Sequence, residues 1–319
     1  MVSLPRMPEP FALIRPAQPD DAPAVVALRR LVFPFLVRGI ASTRQLIATP
    51  PPGLHWTGFV AEVDRHIVGW VCASRNEHTA EAVGEVSLLH VHPDHRRRGI
   101  GGALLAEAVT HLAPLGLTRL HGRALPEALP FVRRHGFTPS RQEHFSALDL
   151  RTLPPLPHPS DDVRLVPLKD VDPRRVHRVD VLASADEPGD VVSGAIGYAD
   201  WLATTWDNVG LDREASMGAE VDGELVSISL VKRDGARMWS DYTGTVPSFR
   251  GRGLARLVKL AALRRAAARG VTVAYTGNDA ANAPMLAVNK QLGYQQVATQ
   301  WSCVRELGPT GWAATSSPR

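Results

Sequence analysis

The 319-residue sequence predicts a mixed α/β fold made of two tandem domains that share one plan. The first observation is a loop that occurs twice. Val91-His92-Pro93-Asp94-His95-Arg96-Arg97-Arg98-Gly99-Ile100-Gly101 and Thr245-Val246-Pro247-Ser248-Phe249-Arg250-Gly251-Arg252-Gly253-Leu254-Ala255 both read R-x-x-G-x-[GA], with a proline three residues before the arginine. The second is spacing: Arg96 and Arg250 are 154 residues apart, about half the chain. The third is register. Arg96 precedes the pair Gly136-Phe137 by 40 residues, and Arg250 precedes Gly293-Tyr294 by 43.

The elements of the first copy follow in order. Ala12–Pro16 reads as a short strand, and the acidic Asp20-Asp21 followed by Pro23 starts a helix through Leu28. Gly58–Val63 and Ile67–Ala73 read as strands around a tight Asp64–His66 connection, and Glu85–Val91 as a third. Gly99–Leu112 is predicted helical, because Ile100, Ala103, Leu104 and Ala108 share one face, and Pro114 marks its end. Leu117–Gly122 is a strand, Pro126–His135 a short helix, and Gly136-Phe137 opens the closing strands.

Four prolines between residues 152 and 160 predict an extended, semi-rigid linker. The domains are therefore expected at 1–150 and 163–319, joined by 151–162, with residues 1–10 as a leader of little structure. The second copy repeats the plan: a strand at Val163–Val166, a helix near Pro173–Leu182, the acidic loop 186–190 and an extra helix near Ala199–Trp206. Strands Met217–Val221 and Glu224–Lys232 flank the hairpin turn Asp222-Gly223, and Ala236–Thr245 follows. Gly253–Ala268 is a helix, Val271–Thr276 a strand and Ala281–Leu292 a helix.

Composition narrows the function. The formal charge of +4 and the pI of about 9.4 admit nucleic acid. The arginines, however, are scattered along helices and cluster only at the two loops, and aromatics at 6% are too few for a base-stacking platform. A compact anionic cofactor suits those clusters. No apolar run is long enough to span a bilayer, and two cysteines, Cys72 and Cys303, do not make a disulfide scaffold. The expectation is a cytoplasmic protein with no nucleic-acid or membrane partner, monomeric or homodimeric.

A strand that ends in a glycine-rich turn and feeds a helix presents free backbone N–H groups and a favourable dipole to an anion. Gly99 and Gly101, or Gly253 and Ala255, let a pyrophosphate approach, and the loop arginines add charge-assisted bonds. The spacing matches neither G-K-[ST] nor G-x-G-x-x-G nucleotide loops. His90, His92 and His95 lack a further ligand at metal spacing and sit beside three arginines, so no metal is expected.

With the opening Ile14-Arg15 and Asp20-Asp21-Ala22, both loops and both closing Gly-aromatic pairs, the chain resembles two consecutive GNAT acyltransferase domains. The resemblance implies that each half is a mixed sheet whose fourth and fifth strands splay apart. It also implies acetyl-CoA as cofactor and transfer of its acetyl group to a primary amine of a small molecule. The cofactor contacts it implies are Leu89, His90, Val91, Arg96, Arg97, Arg98, Gly99, Ile100 and Gly101 in the first half. In the second half they are Thr243, Gly244, Thr245, Arg250, Gly251, Arg252, Gly253, Leu254 and Ala255, with the amides Asn278, Asn282 and Asn289 beside the pantetheine arm.

The family often places a tyrosine, the general acid, four residues before the Gly-aromatic pair; here those positions are Val132 and Asn289. The asparagines favour the second half as catalytic. Asp241 is then the candidate base, Tyr242 and Tyr294 the alternative proton donors, and Asp186 and Glu187 recognise a cationic acceptor. The tandem layout also resembles mycothiol synthases, which acetylate a cysteinyl-sugar amine. Those enzymes carry a carboxylate at the start of the fourth strand, where Trp239 stands here. A coenzyme A-binding sensor without turnover is the alternative of another class.

Overall fold

A computed structural model describes residues 12–76, 81–188, 190 and 196–307; the expected leader lies outside them. The first half runs β1 (Leu13–Pro16), α1 (Ala22–Val32), α2 (Ile40–Ala48), β2 (Thr57–Val63), β3 (His66–Asn76) and β4 (Val83–Val91). It continues with α3 (Ile100–Leu112), β5 (Arg119–Ala124), α4 (Leu129–Arg134) and β6 (Thr138–Asp149). The second half runs β7 (Val163–Pro167), α5 (Pro173–Ser184), α6 (Tyr198–Trp201), β8 (Met217–Val221), β9 (Glu224–Asp234) and β10 (Arg237–Thr245). It ends with α7 (Leu254–Ala268), β11 (Val273–Asp279), α8 (Ala283–Leu292) and β12 (Gln295–Glu306). The fold is mixed α/β, as expected.

Some boundaries differ from the sequence reading. Helix α2 was not anticipated: its nine residues carry no side-chain cap and only a short apolar stripe. The helix expected over Ala199–Trp206 is one α-turn continued by a π-turn over Leu202–Trp206. Trp201 and Trp206 then stack, with centroids 5.6 Å apart, in the core of the second half.

The twelve strands among the described residues form one sheet, ordered β1-β2-β3-β4-β5-β12-β6-β11-β10-β9-β8-β7. The order is a pseudo-two-fold with an exchange at its centre. The last strand of the chain, β12, pairs with β5 of the first half, and β6 pairs with β11 of the second. The exchanged strands pair with each other antiparallel, so the two halves share a continuous backbone ladder.

In each half the fourth and fifth strands are parallel at their start and then part. β4 and β5 pair from Val83–Arg119 to Val86–Gly122, and β10 and β11 from Arg237–Val273 to Trp239–Tyr275. Gly122 sits at the first fork, where a Cβ would lie 3.1 Å from the Val86 carbonyl. Helices α3 and α7 cover the sheet beside the forks. Leu104, Leu112 and Leu120 are fully buried in the first core, and Leu260, Leu263 and Met238 in the second. Burial of each such side chain contributes about 1.5–3 kcal/mol. Cys72 and Cys303 are buried free thiols.

Candidate active site

The two loops are geometric twins. A 3-10 turn at Pro93–His95 in one and Pro247–Phe249 in the other leads to an arginine in extended conformation. Arg96 donates from Nε to the Val91 carbonyl at 3.1 Å, and Arg250 donates from Nε to the Thr245 carbonyl at 3.1 Å. The first loop arginine thus fastens its own turn. Gly99 and Gly253, at φ +83 and +75, cap α3 and α7, and a Cβ on either would meet nothing within 4 Å. Arg97 holds φ +63 where the second loop has Gly251 at +79. A non-glycine residue kept in the left-handed region marks strain at the first loop.

The remaining charges break the symmetry. Asp186 grips Arg250 through both terminal nitrogens, at 2.5 and 2.9 Å, and Asp162 pairs with Arg252. The guanidinium beside Asp186 holds that carboxyl below its ordinary value. Among the described residues, no carboxylate pairs with Arg96 or Arg97. Arg96 and Arg97 thus differ from Arg250 and Arg252, each of which holds a carboxylate.

Space follows the charge. A cavity of about 1650 Å³ opens at the first loop and runs through the β4/β5 fork toward the exchanged strands. This exceeds the ~300–1,000 Å³ of an ordinary small-ligand pocket. Arg96, Arg97, Gly99, Ile100 and Gly101 line one end, together with Leu89, His90 and Val91. A β-bulge between Ser87 and His90 leaves Leu88, at φ +56, and Leu89 without register partners on β3. His90 is buried, its Nδ1 has no hydrogen-bond partner, and desolvation pushes its imidazole down to about 3. A neutral, unsatisfied ring nitrogen beside a helix N-terminus with open glycines suits an anionic or amide-bearing ligand.

The other end of the cavity is built by both halves. Glu85 and His121 are register partners where β4 and β5 begin to part, with Glu85 Oε1 3.4 Å from His121 Nδ1. His121 Nε2 lies 2.6 Å from Ser302 Oγ of β12, and Ser302 donates to Asp190. Ser140 also donates to Asp190, at 2.7 Å. Arg123 pairs with Glu143 at 2.9 Å, and Arg141 with Asp279 at 2.7 Å. Glu187 stands at the rim. Crowding by protein, then Asp180, Asp186 and Asp279, raises its carboxyl.

The second-half candidates lie elsewhere. Asp241 is the extra residue of a β-bulge between Ser240 and Tyr242, and its carboxylate meets Lys232 Nζ at 2.7 Å. Tyr242 packs against the second core, where burial raises its phenol, and its hydroxyl would meet a Cβ on Gly244 at 2.5 Å. Tyr294 is a core residue whose hydroxyl lies 3.0 Å from Ser240 Oγ. Thr243 and Thr245 bond Ser229 and Ser227, at 3.0 and 2.9 Å. Leu254 is buried against α7's own sheet contacts, and Ala255 follows it in the first turn. Asn282 caps α8 by accepting from the Met285 amide, and Asn289 donates to Asn278 at 2.7 Å. Of the three asparagines only Asn278 lines the cavity. Asp186 is tied to Arg250, whereas its neighbour Glu187 reaches the rim.

Glu85, His121 and Ser302 were missed by the sequence reading. One signal was available: a shift of 154 residues sets Glu85 opposite Trp239, so the carboxylate absent from the second fourth strand is present in the first. The pairing follows in three dimensions, where Glu85–His121 in the first fork corresponds to Trp239–Tyr275 in the second. No spacing rule announces Ser302, because only the strand exchange brings it to His121.

One sheet forked in each half, with a glycine-rich anion loop leading into a cavity of polar and titratable groups, defines an acyltransferase class. The chain belongs to the GNAT acetyltransferase family, as two such domains in tandem. Family models described as "Acetyltransferase (GNAT) domain" and "Acetyltransferase (GNAT) family" match residues 55–139 and 183–294. A mycothiol acetyltransferase of Amycolatopsis mediterranei is 30% identical over 256 residues, covering 75% of this chain and 81% of that protein. One from Nocardioides sp. is 29% identical over 230 residues, covering 67% and 78%. Among solved structures, a tandem GNAT protein from the clavulanic acid biosynthesis pathway superposes with TM-score 0.72 at 23% identity, covering 94% of this chain and 99% of that one. A GCN5-related N-acetyltransferase from Sphaerobacter thermophilus gives TM-score 0.69 at 18% identity, covering 95% and 97%. Enzymes of this family use acetyl-CoA. No helix among the described residues is long and apolar enough to cross a membrane.

Proposed function

We propose that the protein is an acetyl-CoA-dependent N-acetyltransferase acting on a small cationic amine, with its reaction chamber at the first-half fork. The observation that carries this reading is the coincidence of three features at one loop. The cavity begins there, Arg96 and Arg97 have no carboxylate partner there among the described residues, and a carboxylate–imidazole pair stands at that fork alone. The sequence favoured the second half for its asparagines. Its loop arginines, however, are held by Asp186 and Asp162, and its fork carries Trp239 and Tyr275.

In this reading the amides around Gly99–Gly101, with Arg97, hold the pyrophosphate, and the bulged backbone at Leu88–Leu89 and His90 borders the arm. Bound acetyl-CoA would supply an acetyl thioester; transfer would form the N–C bond, break the C–S bond and pass one amine proton to the departing sulfur, so that coenzyme A would leave as its thiol. Arg123 and Arg141 are already paired with Glu143 and Asp279, and Glu85, Asp190 and Glu187 on the same cavity wall offer carboxylates to a cationic acceptor. Asn278 borders the same space; Asn282 and Asn289 serve the architecture of the second half. The protein acts as a monomer or homodimer in the cytoplasm, without nucleic acid.

A second reading, acetylation of a cysteinyl-sugar amine, is favoured by the relatives named mycothiol acetyltransferases. Release of free coenzyme A from acetyl-CoA, measured against simple amines, diamines and a cysteinyl-sugar, tests both. Turnover confined to the cysteinyl-sugar would replace the first reading with the second. Tight coenzyme A binding with no turnover on any amine would leave only a sensor.

A further inference from the structure

We infer that His121 is the group that takes the proton from the acceptor ammonium, and that Ser302 and Asp190 from the second half are positioning residues that hold it in the one tautomer able to do so. The inference rests on the first-half chamber proposed above and concerns a step that reading leaves open.

The hydrogen-bond chain dictates the tautomer. Asp190 is the acceptor in two hydrogen bonds, because Ser302 and Ser140 both donate their hydroxyl hydrogens to it. Having given its hydrogen to Asp190, Ser302 Oγ faces His121 Nε2 at 2.6 Å as an acceptor. Nε2 therefore carries the ring hydrogen, and Nδ1 of the neutral imidazole is left with its lone pair. That lone pair faces Glu85 Oε1 at 3.4 Å on the cavity wall. An ammonium arriving at that wall can donate one hydrogen to Nδ1 and a second to Glu85 Oε1.

The transfer balances. The ammonium gives one proton to Nδ1, becoming a free amine with its lone pair available; the imidazole becomes an imidazolium. Nδ1–H then donates to Glu85, and Nε2–H continues to donate to Ser302, so the new charge lies between Glu85 and Asp190. Asp190 is also 3.8 Å from Nε2. After turnover the proton passes to water and the neutral ring is restored. The charged groups around the ring are Glu85 on β4, Asp190 in the loop after α5, Arg123 on its own strand and, through Arg123 and Asp190, Glu143 and Arg141 of β6. The second half has no counterpart, because the partner of Trp239 is Tyr275.

Selective ¹⁵N labelling of histidine tests the tautomer without any turnover. His121, assigned by comparison with His121→Gln, is expected as the Nε2–H form when neutral in the wild type. In Ser302→Ala it is expected to become a mixture of both forms. Asp190→Asn should lower kcat about 10²-fold, as loss of proton transfer does, with the KM for acetyl-CoA unchanged. His121→Gln should remove the acid limb of the kcat–pH profile, and Asp190→Glu should recover part of the rate. A neutral wild-type ring in the Nδ1–H form, or a His121→Gln profile identical to wild type, would overturn the inference. Failure of acetyl-CoA to bind at the first loop would instead overturn the reading beneath it, and binding assays on the same proteins separate the two.

Discussion

Arg96 and Arg250, 154 residues apart, make the same hydrogen bond: each donates from Nε at 3.1 Å to the carbonyl five residues before it. The motif repeated in sequence is thus repeated as a working turn. What differs is the rest of the guanidinium. Arg250 is clasped by Asp186, and Arg96 opens on the cavity.

From that difference follows a stoichiometry. Calorimetry should count one tight coenzyme A per chain. Gly99→Asp, placing a carboxylate where the pyrophosphate docks, should abolish that binding and lower kcat/KM by more than about 10²-fold, a loss of about 3 kcal/mol. Gly253→Asp meets the same open space and a similar positive φ, so its cost to the fold is comparable. It should nevertheless lower turnover less than about threefold, or under 1 kcal/mol. The opposite ranking would move the chamber to the second half.

Lys259 is 2% exposed in α7, with its ammonium 5.1 Å from the centroid of the Tyr294 ring, and burial lowers its pKa to about 7. A shift of 154 residues sets it opposite Leu105. Because the unfolded lysine binds its proton up to an ordinary value of 10.5, the folded state is penalised fully below pH 7. The penalty fades as pH rises toward 10.5. Lys259→Met should therefore stabilise the protein by on the order of a few kcal/mol near pH 6 and very little near pH 10. Denaturant titrations at the two pH values compare the gains; equal gains would show that the ammonium is not the cause.

Strand exchange makes the linker dispensable once the chain has folded. A protease site inserted between Pro154 and Pro159 and then cut should leave two fragments that co-elute on size exclusion and retain turnover. They should separate only in denaturant, because β12 remains paired with β5 and β6. Fragments that part under native conditions would contradict the observed sheet order.

Much of the fold was legible in one dimension, because its signals are local. Strands such as β10 and β11, whose burial alternates at their start, the helices after each loop and the Asp222-Gly223 hairpin depend on neighbours a few residues away. The duplication was legible for the same reason, and with it the expected class of enzyme. Helix α2 was not, since neither a cap nor a strong periodicity announces it.

The proposal of the first half as the active one rests on tertiary structure. Nothing in the spacing tells that Asp186 lies across from Arg250, 64 residues away, or that Asn282 is consumed as a helix cap. The contact between His121 and Ser302 spans 181 residues and exists only because the terminal strands change places. Backbone pattern and loop chemistry are written in short segments and can be read from them. Which charges cancel, which cavity stays open and which side chains meet depend on how distant segments pack, and two loops with the same motif acquire different surroundings there.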